Sequence, residues 1–271
     1  MLEVKGLKKT FKMSKKQQKI EKTKEKIKVA VADVSFDARP GEILGIVGES
    51  GGGKSTVIRA AMGLLENRGR VTDGEIIYKG MSVTGATDEE LRAIRGPEMG
   101  MIFQNTEQSL CPVRRIDEQL YESVQQHKKM EKEEIRERAL QIFSQMRLEN
   151  GERILRSYPF ELSGGMNQRV GIMMAMVLEP SLLFADEPTS ALDVLVQAQV
   201  VRELIELRET YGTAIVIVTH NIGVVRKMAD HIAVMHDGRL VEYGEKEAVL
   251  EDPQAPYTKK LLASVLRLKR G

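Results

Sequence analysis

The chain has 271 residues, 42% hydrophobic and 30% charged, with a formal net charge of +2, which leaves room for one large domain or a domain with a subdomain and makes no general case for nucleic acid. No apolar run approaches the ~18 residues that cross a bilayer, and the start, Met1-Leu2-Glu3-Val4-Lys5-Gly6, has no signal-peptide apolar region, so a cytosolic chain is expected. The one cysteine, Cys111, excludes an internal disulfide and any cysteine-rich metal cluster.

Leu2 to Phe11 has strand character. Residues 12–28, Lys12 to Lys28, break the pattern with eight lysines against two glutamates. They read as a solvated basic loop inserted between two strands, with an anionic surface as the other reading. Val29 to Ala38 resumes a strand, and Pro40-Gly41 turns the chain. Glu42-Ile43-Leu44-Gly45-Ile46-Val47 is a buried strand. It runs into Gly48-Glu49-Ser50-Gly51-Gly52-Gly53-Lys54-Ser55-Thr56, after which Val57 to Met62 is a helix ended by Gly63. Strand, G-x-x-x-x-G-K-[ST] loop and helix make up the P-loop pattern in the context it requires. The glycines let successive backbone N–H groups turn toward phosphate oxygens, and the helix N-terminus adds its dipole. In this reading Lys54 reaches the β- and γ-phosphates, Ser55 ligates Mg²⁺, and the chain binds a nucleoside triphosphate.

Glu75 to Gly80 is a short strand and turn. Thr87 to Arg95 is a helix, with Thr87 and Glu90 forming a capping box. Met99 to Gln104 is an apolar strand that delivers Gln104 at its end. From Asn105 to about Pro159 strand signals vanish, and Ile135, Ala139, Ile142, Phe143 and Met146 fall at helical spacing. A mostly helical subdomain inserted into an α/β framework is expected there.

Leu162-Ser163-Gly164-Gly165-Met166-Asn167-Gln168-Arg169 opens a helix that continues through Leu178. Leu182 to Ala185 is an apolar strand with Asp186-Glu187-Pro188 at its carboxyl end. Ser190-Ala191-Leu192-Asp193 turns into a helix from Val196 to Glu209. Ala214 to Val218 is a buried strand ending in Thr219-His220. Ile232 to Met235 and Arg239 to Glu242, joined by His236-Asp237-Gly238, make a hairpin. Tyr257 to Leu268 is an amphipathic helix with a basic end.

Open α/β sheets bind ligands outside the carboxyl ends of their strands, and three such ends carry suitable side chains. Asp186 is placed to hold Mg²⁺, Glu187 to accept a proton from an attacking water, and His220 to contact the γ-phosphate or that water. Gln104 suits the Mg²⁺ shell and the same water. Taken singly, Asp186-Glu187 also reads as a helix N-cap pair and His220 as a hydrogen-bonded strand terminus.

These motifs, in this order, resemble the ATP-binding subunits of ABC transporters over nearly the whole chain. Leu162 to Gln168 is similar to that family's LSGGQ signature, Gln104 to its Q-loop, Leu182 to Asp186 to Walker B and Glu187 to its general base. Ser190 to Asp193 resembles the D-loop and His220 the switch histidine. Val47 to Ser50, Phe103-Gln104 with Ser109 to Pro112, Glu161 to Met166, Ala185 to Val194 and Asp252-Pro253-Gln254-Ala255-Pro256-Tyr257-Thr258 resemble the oligopeptide, dipeptide and nickel importer branch. Departures stand at Met166 for the broad consensus Gln, at Asn105-Thr106 and Cys111 for Asp-Pro and Asn, and at Ala255 for His.

The resemblance implies an α/β fold: a P-loop NTPase domain of the ABC type with an antiparallel β subdomain and an inserted α-helical subdomain. On that plan residues 1–104 and 160–250 form the α/β core with its β subdomain, 105–159 the helical insertion and 251–271 a C-terminal helix. It implies ATP and Mg²⁺ as cofactors, with Ser55, Gln104 and Asp186 around the metal and Phe11 stacking on adenine. It further implies head-to-tail pairing with a second ATPase subunit, the same or related, in which Ser163, Gly164, Gly165 and Asp193 face the partner's nucleotide. Membrane permease subunits would be direct partners and an external solute-binding protein an indirect one, with the chain peripheral on the inner face of the membrane. The alternative is an ATPase subunit of a soluble assembly of the carbon–phosphorus lyase type.

Overall fold

The computed structural model describes residues 1–12, 27–65, 71–190 and 192–267. It divides into two compact units, one of Met1–Arg39, Ile43–Leu91 and Val218–Gly271, the other of Pro40–Glu42 and Arg92–Ile217.

The first unit opens with strands β1 (Leu2–Lys12) and β2 (Ile27–Ala38), an antiparallel pair whose register runs out to Phe11↔Lys28 and Lys12↔Ile27. Pairing therefore extends into both ends of the expected basic loop, while residues 13–26 of it lie outside the described residues. Strand β3 (Ile43–Val47) is buried at every position, as its unbroken apolar run requires. It feeds the glycine loop and helix α1 (Lys54–Ala61). Strands β4 (Asp73–Tyr78) and β5 (Met81–Ser82) complete a four-stranded sheet in the order β2-β1-β4-β5. Along β1 Leu2 and Val4 are buried in alternation, and after an irregularity at Gly6 (φ +56), where the register with β2 shifts, the alternation resumes one residue out of step with Leu7 buried. The short strand β5 carries too few residues to leave a period and was not foreseen.

Helix α2 (Asp88–Ile94) starts as expected: Thr87 N–H donates to Glu90 Oε2 at 2.8 Å and Glu90 N–H to Thr87 Oγ1 at 3.3 Å. In the second unit β6 (Met99–Ile102) stops two residues short of the expected strand, so Phe103 is exposed and Gln104 sits in a turn. Helices α3 (Thr106–Ser109), α4 (Ile116–Gln125), α5 (Lys132–Gln145) and α6 (Gly151–Arg156) follow. The apolar face foreseen on α5, Ile135, Ala139, Ile142 and Phe143, is buried. Helix α7 (Gly164–Met176), strand β7 (Leu182–Asp186), helix α8 (Val194–Tyr211) and strand β8 (Ala214–Thr219) complete the sequence. Strands β6 and β7 pair in parallel, with Ile102 opposite Ala185, and β8 is the next neighbour of β7.

Back in the first unit, helix α9 (Ile222–Met228) precedes the hairpin of β9 (His231–His236) and β10 (Arg239–Glu245). Asp237 and Gly238 both have positive φ, the two-residue turn that matches strand twist. Strand β9 also pairs in parallel with β3, aligning Val47 with Val234. Helices α10 (Lys246–Glu251) and α11 (Pro256–Arg267) follow, and the basic end expected beyond α11 lies outside the described residues. The sequence Ile222-Gly223-Val224-Val225 has no helical propensity to speak of. It is helical because Asn221 Oδ1 accepts the Gly223 N–H at 2.9 Å and because Ile222 and Val225 join a core with Val47, Ile232, Val249 and Leu262.

Candidate functional site

In the first unit the glycine loop is shaped by its neighbours. Gly48 has φ +148, and a Cβ there would lie 2.0 Å from the Met235 carbonyl of β9. Only glycine fits where the parallel neighbour runs so close. Gly53 (φ +91) abuts the Ala30 carbonyl in the same way, at 2.3 Å, and serves as the N-cap of α1. Lys54 is buried, and its ammonium donates to Gly48 O and Glu49 O, both at 2.8 Å. A cation is thus stationed inside a ring of backbone groups at a helix N-terminus. Exchanging neutral carbonyls for phosphate oxygens would give it stronger, charge-assisted hydrogen bonds.

Phe11 belongs to this unit too. It lies opposite Lys28 in the β1–β2 register, two residues from the Ala30 whose carbonyl meets Gly53, so the hairpin shortens the long sequence separation between Phe11 and the loop. The Lys9 ammonium stands 4.7 Å from the centre of the Phe11 ring. His220 is exposed one residue beyond β8, next to the buried Thr219, whose Oγ1 accepts the Asn221 N–H at 3.0 Å.

The second unit holds the remaining candidates. Asp186 ends β7 at 1% exposure and Glu187 follows at 9%. Glu187 takes φ +50, a left-handed conformation that costs a non-glycine residue of order 1–3 kcal/mol. Its carbonyl is gripped by Ser190, which donates from N at 3.0 Å and from Oγ at 2.9 Å. Ser163 is the N-cap of α7, its Oγ accepting the Met166 N–H at 3.3 Å, which leaves Gly164 at the head of a thirteen-residue helix with open space around its Cα. Gly165 is required by packing, since a Cβ would stand 2.9 Å from Val196 of α8. Asp193 caps α8, with Oδ1 accepting from Leu195 N and Val196 N at 3.0 Å each. The heads of α7 and α8 are therefore set side by side within this unit.

Two contacts that the sequence did not announce brace α7. Thr106, two residues beyond Gln104, donates through Oγ1 to Gln168 Oε1 at 2.8 Å in a buried hydrogen bond. Arg169 Nε donates to Glu203 Oε2 at 3.1 Å, and Arg169 Nη2 stands 2.6 Å from Glu203 Oε1, tying α7 to α8. A charged pair at these helix positions, with no local spacing to link them, leaves no sequence signal beyond two charges on otherwise apolar faces.

Burial pushes the Glu203 carboxyl up to about 7, with Arg169 opposing the shift. The folded carboxyl then holds its proton more tightly than the unfolded one, whose value is 4.5. This group's contribution to stability is accordingly greatest below the unfolded value and declines as pH rises through about 7. Glu203→Ala is expected to destabilise the chain by about 3–5 kcal/mol, because it strands the Arg169 charge in the interior. Chemical denaturation checks this, and the double replacement Arg169→Met with Glu203→Leu should recover most of the loss. A single variant as stable as wild type would remove the pair as a brace.

The chain matches the family model described as "ABC transporter" over residues 31–190. It is 43% identical over 240 residues to the dipeptide transport ATP-binding protein DppD of Bacillus subtilis, an alignment covering 88% of this chain and 72% of that one. With the oligopeptide transport ATP-binding protein OppD of Salmonella typhimurium it shares 44% over 239 residues, covering 88% and 71%. Among solved structures, dimeric MJ0796, described as a bacterial ABC transporter cassette, matches with a TM-score of 0.78 at 31% identity, over 91% of this chain and 99% of that one. A dimeric post-hydrolysis state of MJ0796 bound to ADP and Pi gives 0.77 at 31% identity, with the same coverage.

Proposed function

The chain belongs to the ABC transporter family of ATP-binding proteins, and from that premise we propose that it hydrolyses ATP to drive import of a peptide or a similar small solute. The observation that carries the reading is the loop Gly48–Thr56, with the Lys54 ammonium drawn onto its carbonyls at the head of α1. Such a loop is built for the polyphosphate of a nucleotide. The dipeptide and oligopeptide transport names of the relatives favour the peptide class of solute.

Mg²⁺ would take the Ser55 hydroxyl, the Gln104 amide oxygen and the Asp186 carboxylate, a set of hard oxygen donors suited to that ion. When bound it would neutralise charge on the phosphates. Glu187 would prepare the attacking water, His220 would hold it or the γ-phosphate, and Phe11 would stack on the adenine. Two such chains, or this one and a related ATPase, would pair head to tail. The capped head of α7 at Ser163, Gly164 and Gly165, with Asp193 beside it, would then offer a second set of N–H groups to the partner's triphosphate. ATP would close the pair and product release would open it, a ligand-driven shift between two states. The helices of residues 105–159 would pass that motion to permease subunits at the inner face of the membrane. Among the described residues no helix is long and apolar enough to cross a membrane itself.

Ser163→Arg tests the trans arrangement. It places a bulky cation where the partner's nucleotide would sit and removes a cap worth about 1 kcal/mol. Hydrolysis is expected to fall by about 100-fold or more while each chain still binds ATP, since the lost phosphate contacts act mainly on the closed state. Wild-type hydrolysis in this variant would end the head-to-tail model. Detergent pull-down of the tagged chain should bring down permease chains, and recovery of soluble enzyme subunits instead would redirect the function.

A further inference from the structure

The segment from Asp252 to Thr258 is a sequence motif that nucleotide chemistry leaves without a task, and its Tyr257 is seated against the phosphate loop. We propose that Tyr257 is a positioning residue for that loop, orienting the Gly48–Glu49 peptide and, through it, the Lys54 ammonium. The proposal rests on reading Gly48–Thr56 as the triphosphate cradle.

The geometry turns on a single peptide plane. In a trans peptide the C=O and the following N–H point in opposite directions. Here the Gly48 carbonyl accepts from Lys54 Nζ at 2.8 Å, while the N–H at the other end of the same plane, that of Glu49, donates to Tyr257 Oη at 3.2 Å. One end fixes the cation and the other is held by the C-terminal helix. The Glu49 carbonyl is engaged on the inner side as well, accepting from Lys54 Nζ at 2.8 Å and from Gly52 N at 3.2 Å. Gly48 and Gly51 both have positive φ and no side chain, so this stretch can rotate its peptide planes at small steric cost. A hydrogen bond from outside the loop is what selects one orientation.

Tyr257 is well placed to act as that outer restraint. Its ring stacks on His236, with centroids 3.9 Å apart and planes 17° from parallel. His236 leads into the β9–β10 turn, where the Gly238 N–H donates to Gly52 O at 3.2 Å and Gly238 O accepts from Ala32 N at 2.7 Å. The stack and the turn thus abut the loop on one continuous side. Helix α11 is itself anchored at its start and at its middle. Glu242 accepts from Gln254 N at 2.7 Å and Ala255 N at 3.1 Å. Further along, Leu262 is buried in the core that contains Val47, the residue immediately before Gly48, and Tyr257 packs against the same cluster.

The test is a double-mutant cycle on the full-length chain, reading ATP affinity from the shift in melting temperature as ATP is titrated into the millimolar range. Tyr257→Phe keeps the ring stack and deletes only the hydroxyl. Without that restraint the loop must be ordered when the nucleotide binds, at the cost of one neutral hydrogen bond, about 0.5–1.5 kcal/mol. ATP should therefore bind roughly 2- to 10-fold more weakly, with the melting temperature of the nucleotide-free chain falling by no more than a few degrees. In a Lys54→Ala background the same substitution should change ATP affinity less than about 1.5-fold, because the group it positions is gone. Equal losses in both backgrounds, or wild-type affinity for Tyr257→Phe, would overturn the assignment. Failure of the wild-type chain to bind ATP would instead sink the cradle reading on which it rests.

Discussion

Glu187→Gln is expected to lower ATP turnover by about 10²- to 10⁴-fold, the range that a positioned general base supplies. The substitution preserves size and hydrogen-bonding reach and removes only the ability to take a proton. The surrounding structure holds this residue firmly: it is 9% exposed, in a left-handed conformation, with its carbonyl gripped twice by Ser190. A strained residue kept in place by its neighbours at the end of a buried strand is a frequent mark of a functional position. ATP binding should survive the change, and because the closed pair would no longer be released by hydrolysis, dimers should accumulate with ATP and be visible by size-exclusion chromatography. The measurement is phosphate release under saturating ATP. Turnover within a few-fold of wild type would remove Glu187 from the role of base.

The second large effect is expected at Lys54. Lys54→Ala should weaken ATP binding roughly 10- to 100-fold, since a hydrogen bond to a charged group contributes about 1.5–3 kcal/mol. The effect ought to depend on phosphate: triphosphate should lose more than adenosine, which never meets the ammonium. The Gly48 and Glu49 carbonyls also lose a donor, so a small drop in stability should accompany the loss. Titration of the variant with ATP and with adenosine separates the two contributions. Unchanged ATP affinity would count against the cradle.

Much of this molecule could be read along the chain because the relevant physics is local. A glycine loop between an apolar strand and a helix needs no distant partner to be recognised, and Lys54 and Ser55 fall at fixed places within it. Thr87 and Glu90 cap α2 across three residues, as their spacing announced. Asp237-Gly238 marked the hairpin through backbone preferences of those two residues alone. The boundaries were less legible. Strand β6 stops at Ile102, and β5 is too short to leave a period.

What the sequence determined by itself was therefore the order of elements, the loop that suits a polyphosphate, and the acidic and polar residues that follow the apolar strands. What only the tertiary structure decided was which distant groups meet. Thr106 finds Gln168 across 62 residues, Arg169 finds Glu203 across 34, and Glu49 finds Tyr257 across 208. The helix at Ile222–Met228 and the positive φ of Glu187 belong to the same class. In each case the local preference is weak or adverse, and the conformation is selected by contacts that exist only once the chain has packed.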